Sequence, residues 1–201
     1  MSLPDSDALL DIDKIRADTP AAGRRVYFHN AGAALMPTTV VEAQKRHLDL
    51  EAEIGGYAAA DREAGRLDAV YGSVARLLNA SPVEIALTEN ATVAWQMAFY
   101  GLSFQPGDRI LTAEAEYGAN YVAYLQVARR TGAIIDVVPS DASGELDVAA
   151  LERMIDDRVK LIAITWVPTN GGLTNPAAAV GRARKSVVVG KRVDRGGRRI
   201  I

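Results

Sequence analysis

The sequence predicts an α/β fold built on a mainly parallel sheet. Short apolar runs at Ile85-Ala86-Leu87, Arg109-Ile110-Leu111-Thr112, Ile134 to Val138 and Leu161-Ile162-Ala163-Ile164-Thr165 alternate with segments of helical period. Turn residues separate them, as in Pro106-Gly107-Asp108 and Gly144-Glu145-Leu146-Asp147. The last run is apolar almost throughout, the pattern of a strand covered on both faces. Strands alternating with helices indicate a parallel sheet with helices packed against it, here of four strands.

The N-terminal part is read as helical. Leu9, Ile12 and Ile15 share a helical spacing over Asp5 to Arg16, and Pro20 and Gly23 end that segment. After the extended piece Val26-Tyr27-Phe28, the small and polar loop His29-Asn30-Ala31-Gly32-Ala33-Ala34 can bring backbone close to a ligand. Thr38 or Thr39 is positioned to cap a helix through about Ile54, with Gly55-Gly56 as its stop. From Asp61 to Asn79 the helix signal is clearest, because Leu67, Val70, Tyr71, Val74, Leu77 and Leu78 make one apolar face.

Ser81-Pro82-Val83-Glu84 has the form of a capping box with Pro at the first helical position. Further helices are expected from Thr92 to about Tyr100, from Gly118 or Asn120 to Arg130 and from Asp147, as N-cap, to about Ile155. Gly132 is suited to a left-handed cap, and Pro176 opens a last helix.

Composition narrows the function classes. The 201 residues allow one domain or slightly more, and 49% hydrophobic with 24% charged residues is a soluble globular balance. Zero Cys removes disulfides, thiolate metal sites and a cysteine nucleophile, and two His argue against a multi-histidine metal site. There is no bilayer-length apolar run and no signal-peptide pattern at the N-terminus, so a cytoplasmic location is expected. The net charge of −2 is uneven: residues 183–201 hold seven Lys/Arg and one Asp. Such a tail can mark nucleic-acid or membrane binding.

In parallel α/β sheets, ligands bind beyond the carboxyl ends of the strands. The loops Thr88–Thr92, Ala113–Asn120 and Trp166–Asn175 therefore define the candidate site. In Thr88-Glu89-Asn90-Ala91-Thr92 a strand passes directly into a helix. The first N–H groups of that helix are free, the helix dipole adds positive potential, and Thr92 adds a hydroxyl, so the turn can seat a phosphate. The same residues also make an ordinary capped helix start that binds nothing.

Four segments in order resemble motifs of the class V aminotransferase family of pyridoxal-phosphate enzymes. Tyr27-Phe28-His29-Asn30-Ala31-Gly32 is similar to the family's "YLDNAA" loop, and Thr88 to Thr92 to its "TSGATEA" phosphate turn. Ala115-Glu116-Tyr117-Gly118-Ala119-Asn120 is similar to "EHHAN", and Trp166 to Pro176 to "HVSNVTGTINP". The resemblance spans roughly Tyr27 to Arg182; each motif alone is weak, and their order and spacing make the match specific. It implies an aspartate-aminotransferase-like fold, known as PLP fold type I, and pyridoxal 5'-phosphate as cofactor. An amino-acid substrate and a homodimer are also implied, without membrane or nucleic-acid partners. On this reading residues 1–26 are an N-terminal helical segment, 27–182 a partial large domain and 183–201 a basic tail.

Residue roles follow from the resemblance. Ala91 and Thr92 would hold the cofactor phosphate. Tyr117 stands where desulfurases have the histidine that stacks on the ring; a phenol stacks on a pyridinium through the same face. It cannot supply imidazole acid–base chemistry near neutral pH, which argues against desulfurase-type catalysis. Thr169 or Asn170 would contact the ring hydroxyl, Asn30 would face the substrate, and His29, in place of the family's Asp, is read as structural. The family's Schiff-base lysine and the acid that pairs with the ring nitrogen belong to "SxHK" and "DAxQ" segments not found in these 201 residues, so no catalytic residue is assigned.

The expected chain is thus a truncated family member, inactive alone, whose tail resembles the product of a reading-frame shift. The full-length family's reactions include transamination, C–S lysis, desulfuration and epimerisation. The alternatives are a non-catalytic binding module or a subunit completed by a partner chain.

Overall fold

The structure is a computed structural model that describes residues 10–30, 32–169 and 172–183. It divides into two compact units, one ending at Ala86 and the other beginning at Leu87.

The first unit is helical. α1 covers Ile12–Asp18, where Asp11 accepts the Lys14 N–H at 3.0 Å and so fixes the start. That start is later than the helix expected from Asp5; residues before Leu10 lie outside the described residues. A 3-10 turn over Pro20–Gly23 leads towards α2, Thr38–Ile54. Thr38 does not cap α2, since Pro37 holds the cap position and the Thr38 hydroxyl donates instead to the Asp18 carbonyl at 3.0 Å. Gly55, at φ 86°, ends α2 in a conformation that suits a residue without Cβ, and α3 follows over Gly56–Leu78. α3 starts five residues ahead of the expected Asp61. Its predicted apolar face is present but open, with Leu77 83% and Leu78 62% exposed, and only Ala59 and Ala75 of α3 are buried.

The second unit carries the sheet. Its elements are α4 (Ala91–Tyr100), β1 (Arg109–Ala113), α5 (Gly118–Thr131), β2 (Ile134–Val138), α6 (Val148–Met154), β3 (Val159–Ala163) and α7 (Ala177–Ala183). The strands are all parallel, in the order β2-β1-β3. Ile110 lies beside Ile135 on one side and Leu161 on the other.

β1 is the centre of this sheet and the pleat sorts its side chains. Leu111 and Ala113 enter one core with Val138, Leu146, Leu151, Val159 and Val180, on the side of α6 and α7. Ile110 enters the other with Phe99, Phe104, Tyr124 and Val127, on the side of α4 and α5. The sheet is therefore covered by helices on both faces, as an α/β fold requires.

Two strand expectations are corrected. Ile85-Ala86-Leu87 forms no strand: a strand is held by hydrogen bonds to a neighbour, and this run has none among the described residues. The run at Leu161 ends as a strand at Ala163 and is only partly buried, because β3 lies at one side of the described sheet. The continuously buried strand is β1, from Ile110 to Ala113.

Arg109 ties the amino ends of the strands together. Its Nε donates to Asp136 at 2.7 Å, one Nη donates to the Met154 carbonyl at 2.7 Å, and the same group lies 3.0 Å from Asp156. Burial works against the Arg109 charge, but Asp136 and Asp156 outweigh it and leave the guanidinium held more firmly protonated than usual. The candidate loops after β1 and β3 leave the opposite, carboxyl ends.

Candidate functional site

The loop after β1 is organised by one carboxylate. Glu116 follows Ala113 by three residues, and its Oε2 accepts from the Thr112 hydroxyl at 3.1 Å and the Tyr124 hydroxyl at 3.1 Å. Its Oε1 accepts from the Tyr117 N–H at 2.6 Å, from Asn120 Nδ2 at 3.2 Å and from the Thr165 hydroxyl. All five partners donate, which is the environment of an ionised carboxylate, an acceptor-only group. Thr165 comes two residues after β3, so Glu116 bridges the carboxyl ends of β1 and β3.

A second polar residue extends this bridge. Asn175, 1% exposed, donates from Nδ2 to the Thr165 carbonyl at 2.7 Å and accepts the Leu146 N–H at 3.0 Å on Oδ1. Its own N–H donates to the Trp166 carbonyl at 2.8 Å, closing the Trp166–Asn175 loop at its base. Among the described residues no buried side-chain polar atom lacks a partner, so this network is complete.

Tyr124 connects the network to α4. Its ring meets Trp95 at 5.4 Å and Phe99 at 5.4 Å, both edge-on, while Trp95 and Phe99 stack at 4.5 Å. Burial, followed by the nearby Glu116 charge, pushes the Tyr124 phenol well above its ordinary range, so it stays a neutral donor.

The turn before α4 is arranged differently. Asn90, rather than a threonine, is the N-cap: its Oδ1 accepts the Val93 N–H at 3.0 Å. Thr88 donates to the Asn90 carbonyl at 3.0 Å and shapes the approach. Ala91 and Thr92 are the first two residues of the helix, and among the described residues neither their N–H groups nor the Thr92 hydroxyl has a hydrogen-bond partner. Unpaired donors, a helix N-terminus and small side chains form a donor set that fits a phosphate group.

The remaining predicted residues are placed as follows. Tyr117 is the N-cap of α5; its N–H is held by Glu116 and also lies 3.3 Å from Thr165 Oγ1, while its side chain is 47% exposed. Thr169 is half-buried in the loop after β3. Asn170 lies outside the described residues. Asn30 belongs to the first unit, in a turn where the His29 carbonyl accepts from Gly32 and Ala33. The His29 ring is folded over Gly32 so closely that a Cβ there would lie 2.3 Å from Nε2. Thus the second unit brings Tyr117 and Thr165 together and links them through Tyr124 to the helix that begins at Ala91.

Sequence reasoning named Glu116 only as part of a motif and assigned nothing to Thr112, Tyr124, Thr165 or Asn175. The available signal was local: a carboxylate just beyond a strand, flanked by hydroxyl and amide residues that need an acceptor. Among the described residues there is no group of three His, Asp or Glu able to hold a metal, and no helix long and apolar enough to cross a membrane.

The model of the class-V aminotransferase family matches residues 26–194. The chain is 31% identical over 189 residues to a cysteine desulfurase of Pectobacterium carotovorum, covering 88% of this chain and 46% of that relative. It is 33% identical over 183 residues to a cysteine desulfurase of Yersinia pestis, covering 82% of this chain and 44% of that one. The structure superposes on the cysteine desulfurase CsdA from Escherichia coli with a TM-score of 0.74 at 32% identity, over 86% of this chain and 46% of that one. The same fold is seen in a C-DES mutant with glycine covalently linked to its PLP cofactor, with a TM-score of 0.75 at 23% identity, over 85% of this chain and 46% of that one. The chain spans less than half the length of these relatives.

Proposed function

The chain belongs to the class-V aminotransferase family, and from that premise we propose that its second unit forms the phosphate and ring-face part of a pyridoxal 5'-phosphate site acting on an amino acid. The observation that carries this reading is the α4 N-terminus, where the N–H groups of Ala91 and Thr92 and the Thr92 hydroxyl are free to donate. Ala91 and Thr92 hold the phosphate. Tyr117 offers its exposed ring to one face of the pyridine, and Thr169 or Asn170 takes the ring hydroxyl. When bound, the cofactor supplies an electron sink for breaking a bond of the amino acid.

In the whole protein the substrate is an amino acid, and the cysteine desulfurase relatives make a sulfur amino acid the first to assay. These 201 residues bind the cofactor weakly and turn over no amino acid alone, because none of their lysines occupies the family's cofactor-linking segment.

The experiment is to add pyridoxal phosphate to the purified chain, reduce with borohydride and map modified lysines by mass spectrometry. Scattered, low labelling that falls in Thr92→Ala is expected. Near-stoichiometric labelling of one lysine together with amino-acid turnover would overturn the inactivity. Labelling unchanged by Thr92→Ala would remove the phosphate role.

A further inference from the structure

The Glu116 carboxylate stands where the β1 and β3 loops meet the N-cap of α5. It takes the Tyr117 N–H at 2.6 Å and the Thr165 hydroxyl on the same oxygen, while Thr112 and Tyr124 hold the other. Tyr117 has no other fixing contact among the described residues apart from its N–H to Thr165 and the start of its own helix, and its side chain is 47% exposed. Glu116 thus holds the Tyr117 backbone, and with it the point from which the ring projects.

We propose that Glu116 is a positioning residue: it holds the Tyr117 backbone and Thr165 at a fixed spacing, so that the Tyr117 ring projects from a fixed point towards the face of an aromatic ligand ring. The proposal rests on the pyridoxal-phosphate reading above for the identity of the ligand, not for the geometry. Holding that backbone matters because a loop segment that must be ordered on binding costs affinity. The chemistry also states what can replace Glu116. A carboxamide oxygen at the Oε1 position still accepts from Tyr117, and its NH2 then faces the Thr112 and Tyr124 hydroxyls, which can rotate to accept. Alanine removes the acceptor, and aspartate withdraws it by one methylene.

The test uses the full 201-residue chain and two probes, pyridoxal 5'-phosphate and inorganic phosphate, titrated by calorimetry, with amide hydrogen exchange at Tyr117 as a ligand-independent readout. E116A is expected to weaken pyridoxal phosphate roughly tenfold, the loss of about one hydrogen bond's worth of orientation, and to leave inorganic phosphate unchanged. E116Q should stay within about twofold of the wild type for both probes. Exchange at the Tyr117 amide should be at least about tenfold faster in E116A and near wild type in E116Q. E116D takes the place of E116A if the latter does not fold. In Y117A the further change E116A should weaken pyridoxal phosphate no further, since Glu116 acts on the ligand through the Tyr117 ring.

Equal weakening of both probes would show a merely structural role and overturn the proposal. So would unchanged Tyr117 exchange in E116A or E116D. A wild type that binds neither probe would instead overturn the pyridoxal-phosphate reading, and the exchange measurement would still decide whether Glu116 positions Tyr117.

Discussion

The loop after β1 and the turn before α4 both lead into a helix, yet they treat their polar groups in opposite ways. In the first, Glu116 gathers five donors and Asn175 closes the neighbouring loop, so the protein answers its own hydrogen-bonding demands. In the second, Asn90 answers one donor, at Val93, and leaves those of Ala91 and Thr92 open. A closed network contributes to stability and shape; an open one at a helix N-terminus contributes little to stability and remains available to an anion. Substitutions in the first region should therefore cost the most stability, and loss of an open donor in the second should show chiefly in binding.

The largest effect expected is from Glu116→Ala, which takes the acceptor from the buried Thr112 and Tyr124 hydroxyls and should cost roughly 3 kcal/mol of unfolding free energy. Chemical denaturation measures it; a loss below about 1 kcal/mol would mean that water takes over the carboxylate's place and the network is not closed. Next is Asn175→Ala, which leaves the buried Leu146 N–H unpaired at a cost of about 2 kcal/mol. Its effect should add to that of Glu116→Ala incompletely, because Thr165 joins both residues.

Across the comparison, Asn90→Ala removes the cap from α4 and should cost about 1 kcal/mol, with pyridoxal-phosphate binding reduced as the helix start frays. Thr92→Ala should change stability by less than about 0.5 kcal/mol while weakening phosphate binding. A stability loss at Thr92 as large as that at Asn90 would erase the distinction between the two regions.

The closed region also predicts an alkaline response. The Tyr124 phenol has its pKa raised in the folded state by burial and by Glu116. Below about pH 10 it is neutral in both states and its contribution is complete. As the pH rises further the unfolded chain ionises first, so stability falls by up to about 1.4 kcal/mol per pH unit. Tyr124→Phe should flatten that decline in denaturation curves taken from pH 9 to 11, and an unchanged slope would place its cause elsewhere.

By itself the sequence determined the α/β class, the positions of β1, β2, α2 and α5, and the caps at Asp147 and Gly132, where local rules suffice. Those features depend on period and on backbone preferences within a few residues: Asp147 accepts the Ala150 N–H three residues on, and Gly132 adopts φ 78° without a Cβ penalty. The family motifs also named Ala91, Thr92 and Tyr117, which lie in the second unit, the first two at the start of α4 and the third as the N-cap of α5.

The tertiary structure alone decided what depends on neighbours distant in the chain. Ile85-Ala86-Leu87 has strand-like residues but no partner among the described residues, and the Leu161 strand is only partly covered because it stands beside β1 rather than inside the sheet. The role of Glu116 was hidden for the same reason. Thr112, Tyr117, Asn120 and Tyr124 are near it in sequence, but Thr165 is 49 residues away, and only parallel pairing of β1 with β3 brings that hydroxyl to its carboxylate.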